Sequence, residues 1–368
     1  RHDSWWKCNE DYGSKIMLYE SIIWKYIYQE EELLTYILNN HQQIYFEENI
    51  NRIYIVAHGS SYNAAISTKL IISKLCNIEV QVFTPDNFIS IINSLSLNND
   101  CLLIGISQTG TSSGVLNALR KVKNICRIFA ITALKGSAID QLADKTIYLE
   151  CGEEDSNAKT KGYSATLLKL MLFGVENAYK QRNIDKNKYD EILKSLKDEV
   201  SVIKKITKDI KDWCESTKFG VEMANEYLIG SGVNYGTAVE GQLKMMETLR
   251  VPTMYNDILE FSHGMHRAIN NKSYLILINS GNDEARKIFV KTYEYMRSVT
   301  EHCVMINVSK TKTNDSNIID IPLFEFDDSL LLTTLVIQVI STFVPEINNM
   351  DPNGWANDDY TKIVATRI

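Results

Sequence analysis

A short apolar run that ends in a polar turn and is followed by an amphipathic helix recurs along the chain. Residues 53–57 form such a run, and a helical pattern follows at residues 62–75. Residues 101–106 repeat the pattern, with a polar turn and then a helix over residues 113–122. Strands that alternate with helices at this spacing predict a parallel sheet covered by helices on both faces.

The same order of elements returns in the second half of the chain. An apolar run at residues 227–229 leads into a glycine-containing turn, and a helical pattern follows at residues 237–248. Further strands are predicted at residues 79–83, 128–132, 146–149, 275–279, 303–308 and 318–322. We therefore predict an α/β protein built by tandem duplication of one domain.

These patterns divide the chain into segments. We predict an N-terminal helical segment at 17–45, a first domain at 46–185, a helical linker at 186–214, a second domain at 215–345 and a C-terminal tail at 346–368. Residues 1–16 are polar and aromatic, lack the apolar core of a signal peptide and precede Met17. We interpret them as a non-native or disordered leader.

Composition and charge exclude several classes of protein. The 368 residues suffice for two domains. The 39 basic and 46 acidic residues are mixed along the chain, and no basic block offers a nucleic-acid surface.

Cysteines and apolar residues indicate the cellular compartment. Seven scattered cysteines without a CxxC pair predict a reducing cytoplasm. The most apolar stretch, residues 330–344, is interrupted by polar residues and is shorter than the roughly 20 residues of a membrane span, so we expect a buried helix.

Two polar turns of the first half are candidates for binding an anion. Each follows a predicted strand and begins a helix, where unpaired backbone N–H groups favour negative charge. The candidate residues are Gly59, Ser60 and Ser61 in the first turn, and Ser107, Gln108, Thr109 and Ser112 in the second. The alternative is a pair of ordinary helix caps. Neither turn is a dinucleotide fingerprint or a P-loop, so a dinucleotide or ATP is not indicated and we predict no cofactor.

Candidates for proton transfer lie in the second half. Glu240, Lys244 and Glu247 are spaced by four and three residues and share one face of the predicted helix. Such a stripe is commonly a solvated row of ion pairs, but this helix starts at the ligand edge of the second sheet. His263 lies in a polar turn, where it is either an acid–base group or a structural histidine bonded to backbone.

A metal site formed by Glu260, His263 and His266 is the weaker interpretation. The intervening Gly264 breaks the helix that would hold these ligands together. We therefore predict no metal.

Five stretches resemble a known family. They are AHGSSYNAA (57–65), GISQTGTSSGVLNALR (105–120), KTKGYSATLL (159–168), YGTAVEGQLKMMETL (235–249) and EFSHGMHRAI (260–269). The chain thereby resembles, from about Met17 onward, the double sugar-isomerase (SIS) domain proteins. This group includes the isomerase half of glucosamine-6-phosphate synthase and the fructosamine 6-phosphate deglycases. The resemblance implies two tandem SIS domains, each a parallel sheet flanked by helices.

The resemblance also implies roles for particular residues. Ser61, Ser107, Gln108, Thr109 and Ser112 fall on the phosphate-binding positions of the family. Glu247 falls on the base that moves a proton between C1 and C2, and His263 on the residue that opens the sugar ring. In the family this histidine comes from the neighbouring subunit, so a homodimer is implied. Lys362 is a candidate for the catalytic lysine of the tail. Independently of the resemblance, Lys159, Lys161, Lys244 and Lys362 are candidates to line the pocket, and the alternative is that they are solvated surface charges.

The chain departs from the family pattern at several points. Thr111 replaces the usual acidic residue, Met265 replaces a proline, and Lys362 follows Asp351 by a longer spacing than in the synthases. Nothing before Ile53 is long enough for a glutaminase domain, so we expect no glutamine-dependent amination. The turn at residues 279–282 lacks a Ser/Thr cluster, so we expect one phosphate site per chain.

The first functional hypothesis is a deglycase that converts a ketosamine 6-phosphate into an aldose 6-phosphate and a free amine. The second is an amino-sugar phosphate isomerase or deaminase, or a synthase-like aldose–ketose isomerase without a glutaminase. A hypothesis from another class is a sugar-phosphate sensor, which needs the phosphate turns but no proton shuttle.

Overall fold

Ten strands form two parallel five-stranded sheets in the computed structural model, which describes residues 21–367. The first sheet contains β1 (Arg52–Val56), β2 (Glu79–Phe83), β3 (Cys101–Ile106), β4 (Arg127–Thr132) and β5 (Lys145–Tyr148). The second contains β6 (Glu226–Gly230), β7 (Thr253–Asp257), β8 (Tyr274–Asn279), β9 (Cys303–Ser309) and β10 (Ile318–Pro322). The leader proposed for residues 1–16 lies outside the described residues.

The two sheets have the same strand order. The first runs β2-β1-β3-β4-β5 and the second β7-β6-β8-β9-β10, so each half follows the order 2-1-3-4-5. In the first sheet Ile53 pairs in parallel with Val80 on one side and Leu102 on the other. The α/β prediction with two similar halves is confirmed.

Helices flank both sheets. Before and within the first half lie α1 (Ile22–Tyr28), α2 (Glu30–Asn40), α3 (Gly59–Cys76), α4 (Pro85–Ile91), α5 (Ser113–Val122), α6 (Ala138–Leu142) and α7 (Lys161–Lys180). The remainder are α8 (Lys186–Val200), α9 (Ile203–Thr217), α10 (Asn234–Thr248), α11 (Ile258–Phe261), α12 (Asp283–Met296), α13 (Leu330–Ile347) and α14 (Asp359–Ile363). Short 3₁₀ turns lie at Ile92–Ser94 and Met265–Ala268.

Neighbouring residues of each strand pack into different cores. Ile55 lies in a central core between the sheets, whereas Val56 lies in an outer core of the first half. Leu228 and Ile229 alternate in the same way in the second half. This alternation follows from the pleat of the strands, and the shared central core joins the two halves into one folded unit.

The apolar stretch at residues 330–344 is a core helix, α13. By length and composition alone, α13 is apolar enough to cross a membrane, but every one of its residues is buried inside the protein. Its first turn is anchored by Glu199 at the end of α8. The Glu199 carboxylate accepts hydrogen bonds from the backbone N–H groups of Leu331 and Leu332, at 3.1 and 3.2 Å.

The structure adds two details that the sequence did not predict. The segment predicted as a helical linker at 186–214 consists of two helices, α8 and α9, which are separated at Ser201 and Val202. Strand β7 was not predicted, because this edge strand is mostly half-buried and its sequence, TMYND, shows no apolar run.

Helices α3 and α10 bring the two halves into contact. Gly236 of α10 lies against Ser67 of α3, where a Cβ on residue 236 would lie 2.6 Å from the Ser67 backbone nitrogen. Only a glycine permits this approach. The contact directs the later turns of α10 towards the carboxyl ends of β1 and β3.

Candidate functional site

A cavity of about 440 Å³ opens at the carboxyl ends of β1 and β3. The strand order reverses between these two strands, which is where ligands bind in open parallel sheets. The cavity wall contains nine of the residues that the sequence singles out: Gly59, Ser60, Ser61, Ser107, Gln108, Thr109, Ser112, Lys159 and Glu247. The structure therefore brings the polar turns of the first half and a carboxylate of the second half to one cavity.

The turn after β1 contains a glycine in a left-handed conformation, and one of its serine hydroxyls is hydrogen-bonded to the second half of the chain. Gly59 has a φ of +54°, a conformation that favours glycine. The Ser60 hydroxyl donates a 2.9 Å hydrogen bond to Glu240, which also accepts a 2.8 Å bond from the Asn63 amide. Ser60 lines the cavity, and its hydroxyl hydrogen is bonded to Glu240, so its predicted role in phosphate binding stays a prediction.

The turn after β3 is held by its own hydrogen bonds. The Ser107 hydroxyl accepts a 3.4 Å bond from the Ser112 backbone N–H, and the Thr109 and Thr111 hydroxyls lie 2.9 Å apart. Gly110 has a φ of +71°, and a Cβ there would overlap the Ser137 side chain. The turn is thus preorganised before any ligand arrives.

Gln108 is fixed by close packing against the start of α7. A Cβ on Gly162 would lie 2.8 Å from the Gln108 side-chain carbon Cδ, so the glycine makes room for the amide. The Gln108 amide nitrogen also contacts the Cys151 sulfur at 3.8 Å. Through these contacts, the segment KTKGYS (residues 159–164) lies beside the turn after β3.

Glu247 is positioned by a buried lysine. The Lys244 ammonium lies 2.8 Å from a Glu247 carboxylate oxygen and 3.3 Å from a Glu240 carboxylate oxygen. The Glu247 side chain keeps 30% of its surface exposed, whereas those of Lys244 and Glu240 are almost fully buried. Lys244 is not among the residues that line the cavity, and its prediction as a substrate contact stays a prediction. It is a positioning residue for Glu247.

The charges of this cluster stabilise one another. Burial alone would lower the pKa of Lys244, but the carboxylates of Glu240 and Glu247 outweigh it and raise the pKa above its usual value. Burial raises the pKa of Glu240, and Lys244 and Asn63 oppose the rise. Lys244 therefore stays an ammonium at neutral pH and holds Glu247 in place.

Lys159 adds a cation to the cavity wall. Its ammonium donates to the backbone carbonyls of Glu154 and Ser156 at 2.7 and 2.9 Å, which fixes its position. Burial lowers the pKa of Lys159, and the nearby positive charges of Arg367 and Lys244 lower it further.

Several residues of the cavity wall were missed by sequence reasoning. They are His58, Ile106, Asn157, Leu243, Thr366 and Arg367. Burial lowers the pKa of His58. Thr366 and Arg367 reach the site because the C-terminal tail lies along the start of α5. The Thr366 carbonyl accepts bonds from the Ser113 backbone N–H and hydroxyl at 3.1 and 3.0 Å.

A second cavity, of about 760 Å³, adjoins the first and contains Lys362. Glu247 lines both cavities. The Lys362 ammonium lies 2.7 Å from an Asp359 carboxylate oxygen and 5.3 Å from the centre of the Trp355 ring. Lys362 thus faces the cavity that adjoins Glu247, and its side chain is 69% exposed.

His263 is exposed and lines neither cavity. Its backbone N–H donates to the Glu260 carbonyl at 2.9 Å, and the nearby His266 ring contacts the Phe261 carbonyl at 3.2 Å. A role for His263 across a subunit interface remains a prediction. Within residues 21–367, no three histidine, cysteine or acidic side chains cluster in a way that could hold a metal ion.

The turn after β8 in the second half corresponds to the turn after β3 in the first half. A side chain of the protein itself fills this turn. The Asp328 carboxylate accepts a hydrogen bond from the Gly281 backbone N–H and forms an ion pair with Arg286. Asp328 and Ser329 both have positive φ angles, at +55° and +56°, which turn the chain into this position. An internal carboxylate thus takes the place that an anion would have in this half.

Comparison with known proteins agrees with this geometry. Residues 48–175, in the first half of the chain, match the family model of the SIS domain. A glutamine–fructose-6-phosphate aminotransferase (isomerizing) of Clostridium tetani is 29% identical over 257 residues, which are 69% of this chain and 41% of that protein. The chain therefore spans less than half the length of this curated relative.

Solved structures are similar over nearly the whole chain. One from Clostridium difficile 630, described as a candidate phosphosugar isomerase, has a TM-score of 0.85 and 26% identity over 94% of this chain and 99% of that one. The C-terminal domain of a glucosamine-fructose-6-phosphate aminotransferase from Francisella tularensis has a TM-score of 0.80 and 20% identity, over 93% of this chain and 100% of that one. The two halves thus have the fold of tandem SIS-like domains.

Proposed function

We propose that this chain is a phosphosugar enzyme of the aldose–ketose isomerase type, and specifically a ketosamine 6-phosphate deglycase. One observation carries the proposal: the hydroxyl-bearing turns of the first half and the Glu247 carboxylate of the second half line one cavity. Ser61, Ser107, Gln108, Thr109 and Ser112 would hold the phosphate. The anchored phosphate would present the other end of an open-chain sugar to Glu247.

The proposed reaction begins with proton transfer at C1 and C2. Glu247 removes a proton from C1 of the ketosamine, the electron pair forms the C1–C2 double bond, and the C2 carbonyl oxygen gains a proton. Glu247 returns its proton to C2 while the nitrogen loses one, which gives an imine at C1. Water adds to this imine, and the amine leaves with a proton. The products are an aldose 6-phosphate and a free amine.

His263 is proposed to open the sugar ring by moving a proton between the ring oxygen and the anomeric hydroxyl. An imidazole titrates near neutral pH and suits this step. Because His263 is exposed and lies outside the cavities of its own chain, the proposal requires a homodimer in which the partner supplies this histidine.

Aldose–ketose isomerisation or deamination of an amino-sugar phosphate is the second candidate. The names of the relatives favour it, since the Clostridium tetani protein is an isomerizing aminotransferase of fructose 6-phosphate. A Thermotoga maritima structure with this fold is a glucosamine-6-phosphate deaminase. A sugar-phosphate sensor is less well supported. Binding alone does not require a carboxylate at the cavity, whereas the buried Lys244 holds the Glu247 carboxylate there.

A substrate panel tests the proposal. The purified chain is offered fructosamine 6-phosphates, glucosamine 6-phosphate, and fructose 6-phosphate with and without ammonia, and the consumption of each compound is followed. We expect fructosamine 6-phosphates to release amine and aldose 6-phosphate. Consumption of glucosamine 6-phosphate or fructose 6-phosphate alone would favour the second candidate, and binding without turnover of any compound would favour a sensor.

A further inference from the structure

The turn after β8 has the same place in the second half as the turn after β3 has in the first. Both sheets follow the order 2-1-3-4-5, and β3 and β8 are the third strands of their sheets along the chain. Residues 279–282 lead from β8 into the long helix α12. The carboxyl end of a central strand and the start of a helix favour an anion. The fold therefore provides a second place for an anion, away from the cavities at Glu247.

The donors at this turn converge on the carboxylate of Asp328. The Gly281 backbone N–H donates to one carboxylate oxygen, and the Arg286 guanidinium donates to the other. Burial raises the pKa of the Asp328 carboxyl. The charge of Arg286, the Gly281 N–H and the Ser280 hydroxyl oppose this rise. Asp328 is therefore bound as an external anion would be.

Ser280 is a donor that the carboxylate leaves unused. Its side chain is fully buried directly after β8, and within the described residues its hydroxyl makes no hydrogen bond of ordinary length and angle. It nevertheless lies close enough to Asp328 to affect the pKa of that residue. A carboxylate has only two oxygens, and Gly281 and Arg286 engage both of them. A phosphate group has additional oxygens that can accept from Ser280.

Arg286 is held in place independently of Asp328. Its Nε donates to the Gly281 carbonyl at 2.9 Å, and its Nη1 donates to the Asn279 carbonyl at 3.3 Å and to the Val308 carbonyl. Its Nη2 is directed at Asp328. The guanidinium is therefore a preformed cation for whichever anion lies in the turn.

The backbone that carries Asp328 into the turn is strained. Asp328 and Ser329 are consecutive residues with φ angles of +55° and +56°, a region that residues with a Cβ rarely adopt. An external anion makes the contact with Arg286 without this strain. The side chains of Asp328 and Arg286 are 18% and 23% exposed, so an anion from solvent can reach the pair.

We propose that the turn after β8 is a second anion site, that its ligand is a phosphate group, and that Asp328 fills it as an internal ligand which external phosphate displaces. The Ser280 hydroxyl, the Gly281 N–H and the Arg286 guanidinium bind the phosphate in this site. The inference goes beyond the proposed function, since none of these residues lines the cavities at Glu247.

Equilibrium dialysis with radiolabelled inorganic phosphate counts the sites. We expect Asp328→Ala to bind one phosphate per chain more than the double variant Arg286→Met/Asp328→Ala does. The double variant is the matched control, because it also lacks the internal carboxylate but has no guanidinium to bind the phosphate. In the wild-type chain the second site should be at least about tenfold weaker than in Asp328→Ala, because the internal ligand occupies it for most of the time.

Equal numbers of bound phosphates in Asp328→Ala and in the double variant would overturn the inference. A second site of equal affinity in the wild-type chain and in Asp328→Ala would also overturn it. Asp328→Asn keeps an acceptor for the Gly281 N–H and replaces Asp328→Ala if that variant does not fold. Its second site should bind phosphate more tightly than that of the wild type, and an affinity no higher than that of the wild type would again contradict the inference.

Discussion

The hydroxyl of Ser60 donates a 2.9 Å hydrogen bond to the carboxylate of Glu240, which lies 180 residues later in the chain. This bond connects the first phosphate turn to α10. Glu240 is in turn paired with Lys244, and Lys244 holds Glu247. A continuous set of polar contacts thus joins the turn that would bind phosphate to the carboxylate that would move the proton.

Adjacent serines of the first turn should therefore behave differently. Ser60→Ala removes a donor from a buried carboxylate and should lower the free energy of unfolding by about 1–3 kcal/mol. Ser61→Ala should leave stability nearly unchanged and weaken the binding of inorganic phosphate. Urea unfolding and calorimetric titration of both variants separate the two effects. A larger loss of phosphate affinity in Ser60→Ala than in Ser61→Ala would contradict this assignment.

The contact between α3 and α10 should tolerate no side chain at position 236. A Cβ there would lie 2.6 Å from the Ser67 backbone nitrogen, so Gly236→Ala must push the helices apart. We expect a loss of about 1–3 kcal/mol in unfolding free energy and a fall in kcat, because Glu247 moves with α10. Gly264→Ala is the control for stability, since a Cβ there meets nothing within 4 Å. Equal stability of the two variants would be the contrary result.

The fold could be predicted from the sequence where a strand is central. The strands β1 and β3 are buried on both faces and appear as apolar runs that end in polar turns. The edge strand β7 was missed because most of its residues are only half-buried, and its sequence, TMYND, therefore contains no apolar run. The division of the linker into α8 and α9 at Ser201 and Val202 was not predicted either.

Glu226 should make stability depend on pH. It is fully buried at the start of β6, no hydrogen bond reaches either carboxylate oxygen within the described residues, and burial raises its pKa to about 8. Between pH 4.5 and about 8 the unfolded chain releases this proton and the folded chain retains it, so stability falls as pH rises. The fall is at most about 1.4 kcal/mol per pH unit.

The comparison of wild type with Glu226→Gln isolates this effect. The variant keeps a neutral side chain of similar size, so its unfolding free energy relative to wild type should increase steadily from pH 5 to pH 8. Urea unfolding at several pH values measures the difference. A difference that does not change with pH would show that Glu226 has an ordinary pKa in the folded chain.

The candidate site could be predicted only where strand ends and helix faces determine it. Ser107 and Glu247 follow from their places after β3 and on α10, and the structure brings both to one cavity. Arg367 could not be found in this way, because it depends on a tail that bonds to Ser113 across 253 residues. The spacing places Lys244 on the same helix face as Glu247, but it does not show that the Lys244 side chain is buried and paired with Glu247.

The most direct test of the account is to compare turnover with binding in Glu247→Gln. The amide keeps the size of the side chain but cannot accept the C1 proton, so kcat for the fructosamine 6-phosphate should fall by at least about a hundredfold. The dissociation constant of the same compound should change little, because the phosphate turns are intact. Glu294→Gln, at an exposed position of α12 outside both cavities, serves as the control. Turnover in Glu247→Gln equal to that of the wild type would contradict the account.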